Sequence, residues 1–265
     1  VSVPSFELLV TAPGGARRGR LVTAHGPVET PAFMPVATHG SVKGVTPAQL
    51  HELGAGMILS NAYHLGQRPG VEVVRALGGV HGLIGWPGPI LTDSGGFQIF
   101  SLTGLVKVVD DGVHFRSHVD GRAGFLRPED VVTLQEQLGV DVAMSLDECV
   151  AADAGPARVA AAVARTTAWA ARGLDVRRRT DMALFGIVQG GFDVERRAES
   201  ADALVRLGFD GYAVGGLSVG EAPEETRRIA GATARFLPAD RPRYLMGMGT
   251  PRDLLTYVGM GYDLF

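Results

Sequence analysis

Eight short apolar runs, each ending in small or polar residues, recur along the chain with stretches of helical pattern between them. They lie at 33–36, 57–60, 89–92, 142–145, 184–188, 212–214, 243–246 and 262–265. Most of the gaps are long enough for a crossover helix, which parallel neighbours need and hairpin-joined strands do not. This alternation predicts a parallel sheet with right-handed crossovers. Eight such units in 265 residues fit a closed (β/α)8 TIM barrel better than an open doubly wound sheet. The helices most plainly written are 158–177, rich in alanine, and 221–236, which opens on acids and stops at Leu237-Pro238.

Two regions depart from the repeat. Residues 1–30 read as short strands and turns, an antiparallel cap over one end of the barrel. Residues 106–109 and 113–117, joined by Asp110-Asp111-Gly112, read as an inserted β-hairpin. No repeat or linker divides the chain, so 1–265 is expected to form one barrel domain.

Charge and cysteine content narrow the function. The net charge of −3 is not the footprint of a general nucleic-acid binder, so any RNA contact must be local. Arg177-Arg178-Arg179 reads as a solvated helix end. The single cysteine, Cys149, allows no internal disulfide and no multi-cysteine zinc site, and it fits a cytoplasmic protein. No apolar run is long enough to span a membrane, and Val1 to Phe6 carry no signal-peptide pattern.

In a barrel, chemistry gathers where strands end at the C-terminal face. Here those ends carry Ser60-Asn61-Ala62-Tyr63-His64, Asp93-Ser94-Gly95-Gly96-Phe97-Gln98, Leu146-Asp147-Glu148-Cys149, Gln189-Gly190-Gly191, Gly215-Gly216-Leu217 and Gly247-Met248-Gly249. Two carboxylates, an amide and several glycine N–H groups on one rim suit a flat, hydrogen-bonding heterocycle. Carboxylates accept from ring N–H and amino groups, a glutamine amide donates to a carbonyl oxygen, and glycine lets a ligand approach the backbone. Phe97 and Met246 are candidate stacking faces. Each residue also has a plainer reading. Asp93 can cap its own turn, Asp147 with Glu148 can be a rim charge pair, and Phe97 and Met246 can be core. His64, His114 and His118 have no acid or thiol at metal spacing and read as structural, with His114 and His118 on one side of a strand. No residue in the sequence is assigned as a metal ligand, and no organic cofactor is expected.

Taken in order, these strings resemble the queuine/archaeosine tRNA-ribosyltransferase family, the tRNA-guanine transglycosylases. The resemblance rests on residues 60–65, 92–98, 115–121, 146–149, 186–191, 211–217 and 244–247, and runs over roughly 5–265. It implies exchange of the wobble guanine in a tRNA anticodon loop for a 7-aminomethyl-7-deazaguanine, as part of queuosine biosynthesis. The reaction is a double displacement through a covalent tRNA–enzyme intermediate, the logic of a retaining glycosidase. By this resemblance Asp93 is the general acid/base. Asp93, Ser94, Gly95, Gly96, Asp147, Gln189, Gly216 and Leu217 line the base, with Phe97 and Met246 on its two faces. Asn61 orients the carboxylates, and Val219 limits space beside the 7-substituent, a bacterial trait. Gly247, Met248, Gly249, Thr250, Pro251, Arg252 and Asp253 form a tRNA-contacting segment.

The family nucleophile would stand immediately after Phe265, and the family's Cys/His zinc subdomain beyond it. The resemblance therefore implies zinc held by residues outside this sequence, a truncation before the nucleophile, and an inactive 265-residue chain. It also implies a homodimer. After Cys149 the family's bacterial Thr-Pro-Tyr-Pro-Ala stretch is replaced by Val150-Ala151-Ala152-Asp153-Ala154. Three rivals stand beside this reading: an archaeal-type transglycosylase, a non-catalytic RNA-binding partner subunit, and an unrelated barrel enzyme acting on free nucleobases.

Overall fold

The computed structural model describes residues 3–102 and 106–265; the first two residues of the expected cap lie outside the described residues. The chain opens with three antiparallel strands, β1 (Ser5–Thr11), β2 (Arg17–Thr23) and β3 (Gly26–Thr30), in spatial order β1-β2-β3. Strands β4 (Ile58–Asn61) and β5 (Ile90–Asp93) follow. Next come β6 (Lys107–Val109), β7 (Gly112–Arg116) and β8 (Ala123–Leu126), then β9 (Val142–Met144), β10 (Ala183–Val188), β11 (Gly211–Val214) and β12 (Arg243–Leu245).

The central sheet is parallel and runs β12-β11-β10-β9-β5-β4. Two further segments close it. Residues 262–265 pair with β12 through Tyr244 and Leu264, and residues 32–36 lie between them and β4, bridging Ala32 to Leu264 and Val36 to Leu59. Backbone bonds carry the closure: Ala32 N–H donates to the Asp263 carbonyl, Met34 N–H to that of Phe265, and Leu59 N–H to that of Pro35. The eight expected runs thus form one ring, each within about a residue or two of its expected bounds.

Alternation along the strands sorts the core into two layers. On β10, Ala183, Phe185 and Ile187 face the barrel interior with Leu59, Leu91, Met144, Ala213 and Leu264. Leu184 and Val188 face outward, under the helices, with Ile58, Ile90 and Val214. Leu21 and Val28 of the cap enter the interior cluster, so the cap plugs one end of the barrel.

The helices form where apolar residues recur at helical spacing and caps are available. Helix Pro156–Val176 buries Val159, Ala162, Val163, Thr166, Trp169, Ala170 and Gly173 on one side. Helix Val194–Leu207 starts where the Asp193 side chain accepts from the Arg196 N–H, and stops at Gly208, held at a left-handed φ of 83°. The helix expected over 221–236 spans Pro223–Ala234, because Pro223 sets its first turn. Glu221 is thereby left outside, free to bind the preceding loop.

Three further expectations need adjusting. The inserted hairpin is a three-stranded meander, β6-β7-β8. Its second strand ends at Arg116, so His118 is not on a strand beside His114. His118 sits in the turn that follows, with Nδ1 against the Tyr63 hydroxyl at 3.0 Å, while His114 stacks on Phe125 at 4.2 Å. The arginine run is a helix end, but a paired one: Arg177 bonds Asp210, Arg179 pairs with Asp181, and the Arg178 and Arg179 N–H groups donate to Glu136.

Candidate functional site

The residues expected on the rim do meet there. β4 ends on Asn61 and β5 on Asp93, in register with one another. The Asn61 side-chain oxygen caps the next turn by accepting from the His64 N–H at 3.1 Å, which turns its Nδ2 toward Asp93 Oδ2 at 3.5 Å. Ser94 Oγ accepts from the Gly96 N–H at 3.3 Å. Gly95 has φ 88°, and a Cβ there would stand 2.5 Å from the Tyr63 Cβ, so only glycine fits. Gly96 lies against Asp147: a Cβ would meet its carbonyl oxygen at 3.0 Å and its Oδ1 at 3.5 Å.

Asp147 follows β9 and accepts from Gln189 Nε2 at 2.6 Å. That bond fixes the amide orientation, because the carboxylate needs the NH2 side. Gln189 Oε1 then packs against Gly216, where a Cβ would fall 2.3 Å away. Past the Gly215-Gly216 turn, Leu217 is buried and Val219 half-buried. Glu221 holds this loop by accepting from the N–H groups of Ser218 (2.6 Å) and Val219 (2.8 Å) and from the Thr226 hydroxyl (2.6 Å). Ser218 itself, at φ 59°, is the one non-glycine with positive φ among the described residues. Phe97 is 48% exposed and therefore not core, while Met246 is half-buried and packs on the barrel interior.

Electrostatics set the two carboxylates apart from surface acids. Desolvation pushes Asp93 up to about 7, opposed by the Asn61 bond and reinforced by the charge of Asp147. Desolvation pushes Asp147 up to about 6, opposed by Gln189. Burial and the nearby Asp147 charge raise the Cys149 thiol to about 12, so it is not a nucleophile at neutral pH. A pair of carboxyls poised near neutrality can hold or accept protons during turnover.

The expected tRNA segment divides. Gly247 and Arg252 are exposed, but Met248 is buried in the core beneath the helices. Thr250 and Asp253 cap helix Pro251–Val258 reciprocally, each side chain accepting from the other's N–H. Asp263 is fully buried and faces the cap, ion-paired to Arg17 at 3.2 Å.

Sequence reasoning missed two arrangements. Arg197 is wholly buried beneath the glycine turns and bonds only main-chain carbonyls. Its one sequence signal is the spacing from Gly190-Gly191. At the other end of the barrel, Asp141 accepts from His25 Nδ1 (2.9 Å) and His81 Nε2 (3.0 Å). The three residues have the composition of a metal site, but their geometry does not fit zinc. The two rings stack at 3.6 Å with planes 18° apart. Lone pairs in nearly parallel planes cannot converge on one ion with bonds of about 2.0–2.1 Å. Both carboxylate oxygens are also occupied by backbone donors, the His25 and Ile90 N–H groups.

A closed parallel barrel with two desolvated carboxyls, an amide and glycine turns on its C-terminal rim defines the class: a TIM-barrel protein with a polar cluster where barrel enzymes carry their chemistry. The family model described as Queuine tRNA-ribosyltransferase matches residues 13–265. A queuine tRNA-ribosyltransferase of Solidesulfovibrio magneticus is 51% identical over 267 residues, spanning 100% of this chain and 72% of that protein. One from Nitrosomonas europaea is 52% identical, spanning 94% of this chain and 67% of its own. One from Thermus thermophilus is 51% identical, spanning 98% and 68%. The chain belongs to the queuine tRNA-ribosyltransferase family, whose members are tRNA-guanine transglycosylases.

Proposed function

We propose that residues 1–265 act as one catalytic barrel. In this reading it binds the wobble guanine of a tRNA anticodon loop and exchanges it for 7-aminomethyl-7-deazaguanine. The observation that carries this reading is the pairing of two desolvated carboxyls on one rim, Asp147 held by Gln189 and Asp93 held by Asn61. Asp147 accepts from the base N1–H and amine, while Gln189 and the Gly216 N–H donate to its carbonyl oxygen. Phe97 and Met246 cover the two faces, and Val219 limits the room beside the 7-substituent. Gly247, Gly249 and Arg252 meet the tRNA backbone.

Exchange with retention needs a carboxylate to attack C1′ as the C1′–N9 bond breaks. Asp93, titrating at about 7, gives a proton to the leaving guanine and takes one from the incoming base. We assign the nucleophile to the position after Phe265. The Phe265 N–H bonds the Ala32 carbonyl, which directs the strand toward the rim beside Met246. The zinc implied by family resemblance has no fitting ligand set among the described residues. Cytoplasmic location and homodimerisation belong to the same proposal; among the described residues no helix is long and apolar enough to cross a membrane.

The test is to incubate the 265-residue chain with tRNA and labelled guanine, with the longer Thermus thermophilus relative as control. The chain is expected to bind 7-deazaguanine and to form no covalent adduct on a denaturing gel. Failure to bind the base sinks the site; an adduct sinks the assigned nucleophile.

A further inference from the structure

Arg197 lies on helix Val194–Leu207, is 0% exposed, and spends its guanidinium on the carbonyls that end two barrel strands. Nε donates to the Gly191 carbonyl at 2.9 Å. Nη1 donates to those of Val188 at 3.3 Å and Gly215 at 2.9 Å, and Nη2 to that of Gly216 at 3.3 Å. No carboxylate is among these acceptors. Burial lowers its pKa to about 10, which leaves it charged at neutral pH. A buried charge without a counter-ion is costly, so neutral carbonyl dipoles must be held firmly to offset it.

The geometry has a directional consequence. A trans peptide is planar, with its C=O and N–H pointing opposite ways. Anchoring the Gly215 carbonyl on the guanidinium points the Gly216 N–H away from Arg197, and anchoring the Gly216 carbonyl does the same for the Leu217 N–H. The Gly215 N–H is already taken by the Val188 carbonyl, whereas the Gly216 N–H has no backbone acceptor among the described residues. The same guanidinium stem passes under Gly190, where a Cβ would lie 2.8 Å from Arg197 Cγ, so both glycine turns rest on one side chain.

We infer that Arg197 is a positioning residue for base selectivity: by holding the Gly215 and Gly216 carbonyls it aims the free Gly216 N–H at the oxo group of the bound base. The inference rests on the proposed base site. It makes Arg197 responsible for discriminating an oxo acceptor from a ring position that cannot accept.

The experiment measures binding of two probes, 7-deazaguanine by calorimetry and 2-aminopurine by its fluorescence. 2-Aminopurine keeps the amine but has neither the oxo group nor the N1–H that faces Asp147, so each probe is compared with itself between wild type and variant. In Arg197→Met, 7-deazaguanine affinity is expected to fall about tenfold, the worth of one hydrogen bond, while 2-aminopurine affinity stays within about twofold. Arg197→Lys keeps the charge with fewer donors and should shift the same ratio by about threefold. It preserves the test if the methionine variant does not fold. Equal losses for both probes, or an unchanged ratio in the folded variants, would overturn the inference while leaving the base site standing. Wild-type protein that binds no 7-deazaguanine would bring down the base site, and this inference with it.

Discussion

In the proposed base site Asp147 would accept from two base donors only as a carboxylate, yet desolvation pushes its pKa up to about 6. The protonated acid keeps one good acceptor oxygen and turns the other into a donor. A base that binds the ionised form is therefore lost as pH falls. Affinity for 7-deazaguanine should be highest above pH 7 and decline as pH drops through about 6. Asp147→Asn removes that slope, because an amide does not titrate, and places a donor against the base donors and the Gln189 amide. The mismatch should cost about 2–4 kcal/mol of binding. Calorimetry at several pH values checks both; a variant within twofold of wild type would remove Asp147 from the site.

Asp141 works between elements in the way Asp147 works between residues. It joins the β3 approach through His25, helix Gly79–Ile84 through His81, and the start of β5 through the Ile90 N–H. Burial alone would raise its pKa, but the bonds from His81, His25 and Ile90 outweigh burial and lower it. A lowered folded-state value means stability that is present above the unfolded pKa and lost as pH falls through the folded one. Asp141→Ala should cost about 2–4 kcal/mol in urea unfolding, with 7-deazaguanine affinity unchanged, since the site is at the other barrel end. Loss of affinity in the folded variant would tie the two ends together. This hub also marks the limit of what the sequence discloses. Strands such as 184–188 were legible because a run of apolar residues is a local signal, and the rim residues because strand ends have a fixed meaning in a barrel. His25, His81 and Asp141 are scattered along the chain, as are Arg197 and the carbonyls of Gly215 and Gly216, and only the closed ring brings either set together. Met248, which the resemblance puts in a tRNA-contacting segment, is turned between Gly247 and Gly249 into the core, a placement that only the packed helices decide.

Across the whole molecule, the pair Arg17–Asp263 joins the cap to the last strand, both side chains buried. Desolvation pushes Asp263 up to about 6 despite Arg17, the mark of an ion pair whose charges cost more than their attraction returns. Asp263→Ala should destabilise by about 3–5 kcal/mol by stranding the Arg17 charge, and Arg17→Met with Asp263→Leu should recover most of that loss. Urea unfolding of the two variants decides it; a double variant no better than the single would mean that the charges themselves hold the cap. The closure beside this pair has a consequence for how the protein is made. Residues 32–36 pair on one side with β4, but on the other side their neighbours are residues 262–265, about 230 positions later. At about 5–20 residues per second, a ribosome takes roughly 10–45 seconds to supply them. For that interval the first strand of the ring waits with one edge bare, and that edge is where a helper protein would have to stand guard.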